Sequence, residues 1–122
     1  MKTPQILVVE DEAIIAHDLK NNLERHGYLV LPIACTASDA VELAVQERLD
    51  IILMDVLLKG IQNGIDAACA IIERYTVPIL FMTGNTHLLN DERLKKIPIF
   101  KALEKPPFES VLLDTIKNLI KK

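Results

Sequence analysis

Short apolar runs alternate along the chain with longer segments in which apolar residues recur every three or four positions. The clearest runs are Ile6-Leu7-Val8-Val9, Ile51-Ile52-Leu53-Met54 and Ile79-Leu80-Phe81-Met82. Each is bounded by polar residues, the pattern of a strand buried on both faces in a parallel sheet. Strands are expected at residues 5–10, 28–34, 51–54, 78–82 and 99–103. The segments between them carry helical periodicity: Ile15, Leu19 and Leu23; Val41, Val45 and Leu49; Ala68, Ile72 and Tyr75; and Leu112, Ile116, Leu119 and Ile120. Gly27 suits a left-handed helix cap. Ser38 stands before the second helix, with Asp39 placing negative charge at its positive end. Residues 88–96 form the weakest helical segment, because Asn90-Asp91-Glu92-Arg93 is polar nearly all round.

Repeated βα units imply parallel strands joined by right-handed crossovers, with helices on both faces of the sheet. The chain of 122 residues is expected to be one domain, long enough to bury a core without disulfides or metal staples. It shows no low-complexity segment, and it stops after the last helix, as expected for a stand-alone module or a piece of a longer protein.

Composition narrows the function classes. No apolar run approaches the roughly 20 residues of a membrane helix, and Met1-Lys2-Thr3-Pro4 leads into a strand without a signal-peptide pattern. A net charge of -3 with both signs dispersed argues against nucleic-acid binding. Cys35 and Cys69 lack partners at metal spacing and read as small buried hydrophobes in a reducing compartment. A cytoplasmic protein is expected.

The chemistry lies at the run ends. Glu10-Asp11 follows the first strand, Asp55 the third, Thr83 the fourth and Lys105 the fifth. In open α/β sheets the site lies outside the carboxyl ends of the strands. These positions would gather an acidic pair suited to a hard cation, a carboxylate nucleophile, a hydroxyl and an ammonium. Such a set can accept a phosphoryl group, a reaction dominated by positioning and charge neutralisation. Carboxylates are the ligands that Mg²⁺ takes from proteins. Gly84 lets the backbone approach closely after Thr83, and Pro106 fixes the turn after Lys105.

Val9-Glu10-Asp11-Glu12, Leu53-Met54-Asp55-Val56, Phe81-Met82-Thr83-Gly84 and Glu104-Lys105-Pro106, taken in order, resemble the four motifs of the receiver domain of two-component response regulators. The resemblance spans essentially the whole chain, residues 1–122, and includes Gly64 in the loop before the third helix. It implies a chemotaxis-regulator-like, doubly wound (βα)5 domain with a five-stranded parallel sheet in the flavodoxin-like order 2-1-3-4-5. It implies Asp55 as phosphoacceptor, with Mg²⁺ held directly by Asp11, Asp55 and the Leu57 backbone carbonyl, and by Glu10 through water. Thr83 and Lys105 would bind the phosphoryl oxygens, and Lys105-Pro106 is a candidate cis bond.

Three positions depart from the usual pattern. Glu10 replaces the commoner aspartate, Leu57 cannot orient an attacking water, and Ala102 stands where the family usually has an aromatic residue that swings inward on activation. His17, His26 and His87 form no nucleophilic constellation, so the phosphohistidine donor is expected on a partner.

The expected function is a phosphorelay signalling module, not an enzyme beyond its own phosphotransfer and self-dephosphorylation. It would receive the phosphoryl group from a sensor histidine kinase or a histidine phosphotransfer protein. An output domain or effector would dock on the face built from residues 88–119, or the domain would pair with a second copy. Neither membrane nor nucleic acid is an expected partner. The main alternative is a degenerate receiver that binds partners without phosphorylation. A haloacid-dehalogenase-type phosphatase is disfavoured because it would carry a second aspartate where this chain has Leu57. A flavodoxin relative is disfavoured because no glycine- and hydroxyl-rich phosphate loop follows the first strand.

Overall fold

The computed structural model describes residues 3–121. Five strands, β1 (Gln5–Val9), β2 (Leu29–Val30), β3 (Ile51–Asp55), β4 (Ile79–Thr83) and β5 (Phe100–Glu104), form one parallel sheet in the order β2-β1-β3-β4-β5. Four α-helices cover it: α1 (Ala13–Arg25), α2 (Ala37–Gln46), α3 (Gly64–Ile72) and α4 (Glu109–Ile120). This is the doubly wound, flavodoxin-like arrangement expected from the sequence.

The unbroken apolar runs follow from having a helical layer on each side. Side chains alternate across a strand, so Leu7, Val9, Ile52, Met54, Ile79 and Phe81 enter the core shared with α2 and α3. Their neighbours Ile6, Val8, Ile51, Leu53, Leu80 and Met82 enter the core shared with α1 and α4. Every residue of β3 and β4 is buried. β5 is different: it forms the sheet edge and is largely exposed, so its mixed composition marks an edge strand and not a buried one.

Several local expectations shift. β2 is only two residues long: after Leu31 donates to the Ile6 carbonyl, the next bond to β1 comes from Ala34 to Val8, so one extra residue interrupts the ladder before an isolated bridge from Val9 to Ala34 resumes the pairing. The buried face of α2 is Ala37, Ala40 and Ala44, whereas Val45 is exposed. Thr36, not Ser38, caps that helix, accepting from the Asp39 N–H at 3.1 Å. The expected helix over residues 88–96 is replaced by two short 3-10 segments, Thr86–Leu89 and Glu92–Lys96. Without an apolar stripe, side-chain caps from Asn85 and Asp91 to nearby N–H groups stop any longer helix. Cys35 is exposed and Cys69 half-buried, so neither is the fully buried hydrophobe expected. Gly27 does adopt the left-handed conformation, with φ of 90°.

One contact joins the fold to the site. The Gly64 N–H opens α3 by donating to the Val56 carbonyl at 2.8 Å. A Cβ on Gly64 would overlap the Asp55 carbonyl oxygen and approach Met54 Cγ to 2.8 Å. By contrast, a Cβ on Gly84 meets nothing within 4 Å. Gly64→Ala is therefore expected to destabilise the domain by about 1–3 kcal/mol through overpacking, and Gly84→Ala by less than about 0.5 kcal/mol. Urea unfolding of the two variants checks the difference.

Candidate functional site

Parallel register brings the carboxyl ends of β1, β3 and β4 side by side, with Val9 opposite Met54 and Asp55 opposite Met82. Glu10 and Asp55 are buried although both are acidic, and Asp11 beside them is half-buried. One carboxylate oxygen from each of Glu10, Asp11 and Asp55 lies within 4.8 Å of the others. The cluster opens into a cleft of about 450 Å³, also lined by Leu57, Thr83 and Lys105.

The Lys105 ammonium bridges the two buried carboxylates, 2.8 Å from Glu10 Oε1 and 3.0 Å from Asp55 Oδ2. Its backbone is anchored by donation to the Thr83 carbonyl, and its bond to Pro106 is cis, as expected. Burial opposes the Lys105 charge, but hydrogen bonds to Glu10 and Asp55 outweigh it and hold the ammonium above its ordinary 10.5. Burial raises the Glu10 carboxyl above its ordinary 4.5, against the lowering effect of Lys105 and the Glu12 N–H.

Leu57 donates its N–H to Asp55 Oδ1 at 3.2 Å, while its side chain is 58% exposed at the cleft. Thr83 ends β4 beside Asp55, but its hydroxyl is turned to Asn85, donating to that residue's carbonyl and accepting from its N–H. Ala102 is exposed on β5. His17, His26 and His87 are exposed, and His26 caps the end of α1.

Two features escaped the sequence reading. Lys59 lines the same cleft. Arg93 links the segment after β4 to the start of α3, pairing with Asp91 at 2.9 Å and with Asp66. Asp66 also completes a reciprocal cap with Asn63. The Asn63-to-Asp66 spacing was a visible signal for that cap; the long-range pairing with Arg93 had none.

The family model "Response regulator receiver domain" matches residues 6–117, and the chain belongs to that family. The transcriptional regulatory protein PdtaR of Mycobacterium tuberculosis is 32% identical over 118 residues, covering 97% of this chain and 57% of PdtaR. The chain thus spans little more than half of that relative's length. The N-terminal domain of a response regulator/sensory box/GGDEF three-domain protein from Carboxydothermus hydrogenoformans superposes with a TM-score of 0.87 at 30% identity, covering 96% of this chain and 94% of that one. The receiver domain of sensor histidine kinase PA1611 from Pseudomonas aeruginosa, solved with magnesium coordinated in its active-site cleft, gives 0.86 at 27% identity, covering 99% and 100%. This chain is accordingly a receiver domain of the two-component response regulator type, with an acidic cluster able to hold a metal ion. Among the described residues no helix is long and apolar enough to cross a membrane.

Because the folded protein raises the Glu10 pKa, folding favours its protonated form. That contribution is full below the unfolded value near 4.5 and is lost as pH rises through the folded value. The stability difference between wild type and Glu10→Gln, measured without divalent metal, is expected to move against wild type as pH rises from 4.5. Denaturant titration of both proteins across that range checks the sign.

Proposed function

We propose that the chain is a phosphoacceptor signalling module in which Asp55 receives a phosphoryl group with Mg²⁺ as cofactor. The observation that carries this reading is the Asp55 carboxylate held in a buried ion-pair cluster with Glu10 and Lys105, with Asp11 close enough to share a cation. The donor set fits Mg²⁺, a hard cation that takes oxygen ligands. Asp11, Asp55 and the Leu57 carbonyl would hold it directly, and Glu10 through water. Bound there, it would supply the positive charge that lets a carboxylate approach a phosphoryl group.

In the transfer, an Asp55 carboxylate oxygen forms a bond to phosphorus as the bond from phosphorus to the donor nitrogen breaks, and the imidazole leaves with that electron pair. Lys105 and the Thr83 hydroxyl bind phosphoryl oxygens, which requires Thr83 to turn away from Asn85. The donor is a sensor histidine kinase or a histidine phosphotransfer protein. Exposed Ile14, Leu57, Ile61 and Phe108, in elements or loops at this end of the sheet, offer such a partner apolar contacts. The domain catalyses only its own phosphotransfer and self-dephosphorylation, and it works in the cytoplasm. Phosphorylation alters the face built from residues 88–119, where an output domain, an effector or a second copy docks. Exposed Ala102, with no side chain to swing, favours a second reading, a phosphorylation-independent interaction module.

Acetyl phosphate with Mg²⁺ is expected to add one phosphoryl group, seen by intact mass spectrometry. Asp55→Asn and excess chelator should each abolish it. Labelling that survives in Asp55→Asn moves the acceptor elsewhere, and no labelling of wild type favours the second reading.

Self-dephosphorylation is expected to be slow, because the Leu57 side chain stands over the cleft and offers no group to orient water. Leu57→Asn should accelerate loss of the phosphoryl group by about tenfold, less than a positioned general base contributes because the amide only orients. Unchanged decay of the phosphorylated variant would refute the shielding role.

A further inference from the structure

Lys59 lies in the connection from β3 to α3 and lines the cleft that holds Asp11, Asp55, Thr83 and Lys105. Those two lysines are the cations of that lining, and they differ in what they are free to bind. Lys105 directs its ammonium to Glu10 and Asp55 from a largely buried position. Lys59 is exposed, and among the described residues no carboxylate lies within ion-pairing distance of it. It also borders a second cleft against Thr36 and Ser38, whose hydroxyls carry no charge to neutralise it.

The local backbone keeps this residue at the mouth of the site. Leu58, just before it, packs against the core shared with α2 and α3. Gly60, just after it, turns the chain in the left-handed region at φ 101°. Lys59 is therefore held between an anchored side chain and a tight turn.

The charge at the cleft shows what such a group can do. Glu10, Asp11, Glu12 and Asp55 meet there, and Lys105 is already paired with two of them. The cation proposed for this cleft offsets part of that negative charge, and an unpaired ammonium at the mouth can offset more of it for an anionic donor.

We propose that Lys59 is a positioning residue for the phosphodonor, its ammonium engaging the outer oxygens of the phosphoryl group as it enters the cleft. This rests on the reading of Asp55 as acceptor. With acetyl phosphate, an Asp55 oxygen bonds to phosphorus while the bond between phosphorus and the acetyl oxygen breaks, and acetate leaves with the electron pair. Lys59 keeps its proton throughout. The reaction turns a carboxylate monoanion into an acyl phosphate dianion, so the site gains one negative charge, and Lys59 opposes that gain.

The test compares wild type, Lys59→Gln and Lys59→Arg with acetyl phosphate and Mg²⁺ at fixed ionic strength, following the rate of Asp55 labelling against donor concentration. Lys59→Gln is expected to raise the half-saturating concentration about fivefold, the effect of one charge near the surface, and to leave the maximal rate within about twofold. Lys59→Arg should restore wild-type behaviour. The difference should shrink as salt is raised, because exposed charges are screened beyond about 10 Å at 0.1 M. Unchanged saturation in Lys59→Gln, a loss that arginine does not rescue, or a loss indifferent to salt would each overturn the assignment. A wild type that takes no phosphoryl group on Asp55 removes the acceptor reading and this proposal together. A reactive wild type matched by Lys59→Gln removes this proposal alone.

Discussion

The Lys105 ammonium, set between Glu10 and Asp55, is the contact on which the arrangement of this end of the sheet depends. Parallel pairing of β1 with β3 brings their acidic ends together, and burial of Glu10 and Asp55 makes the repulsion between them costly. A cation from the far edge of the sheet relieves it. The pairing of β4 with β5 and the anchoring of the Lys105 N–H on the Thr83 carbonyl bring that cation within reach. A buried pair of this kind is weak evidence for stability but restrictive about geometry, since loss of one partner leaves a charge uncompensated.

A second set of constraints holds Asp55 from the opposite side. Gly64 seats the start of α3 against the Asp55 backbone, closer than any side chain would permit. The same turn carries the Asn63–Asp66 cap, and Asp66 reaches Arg93 in the segment after β4. Hydrogen bonding to Arg93 holds the Asp66 carboxyl below its ordinary range. A continuous series of contacts therefore runs from Asp55 to the segment that follows Thr83, without passing through β5.

Much of the fold was legible because two periods are written plainly in the chain. The buried runs of β1, β3 and β4 have apolar side chains on both faces, and their polar ends placed Glu10, Asp55 and Thr83 correctly. Lys105 was legible as a cation at a strand end, but its role as a bridge between Glu10 and Asp55 requires three strands in register. What misled was composition without context. Val45 matched the helical stripe of α2, yet the smaller alanines form its buried face. Residues 88–96 offered some helical spacing, but their side chains cap nearby N–H groups instead. Lys59 and Arg93 looked like ordinary surface charges, because their significance depends on residues far away in the chain.

The cation that balances the buried carboxylates arrives on the least covered strand. β5 is exposed along most of its length, and two short 3-10 segments, with no α-helix, lie between β4 and β5 in the chain. Edge strands with few buried contacts open at lower free energy than the core they border. Each opening of β5 would withdraw Lys105 and expose the uncompensated charge of Glu10 and Asp55. The order of the sheet edge and the ionic state of the site are thus two readings of one equilibrium, and whatever neutralises the carboxylates from outside also relaxes the demand on the edge to stay closed.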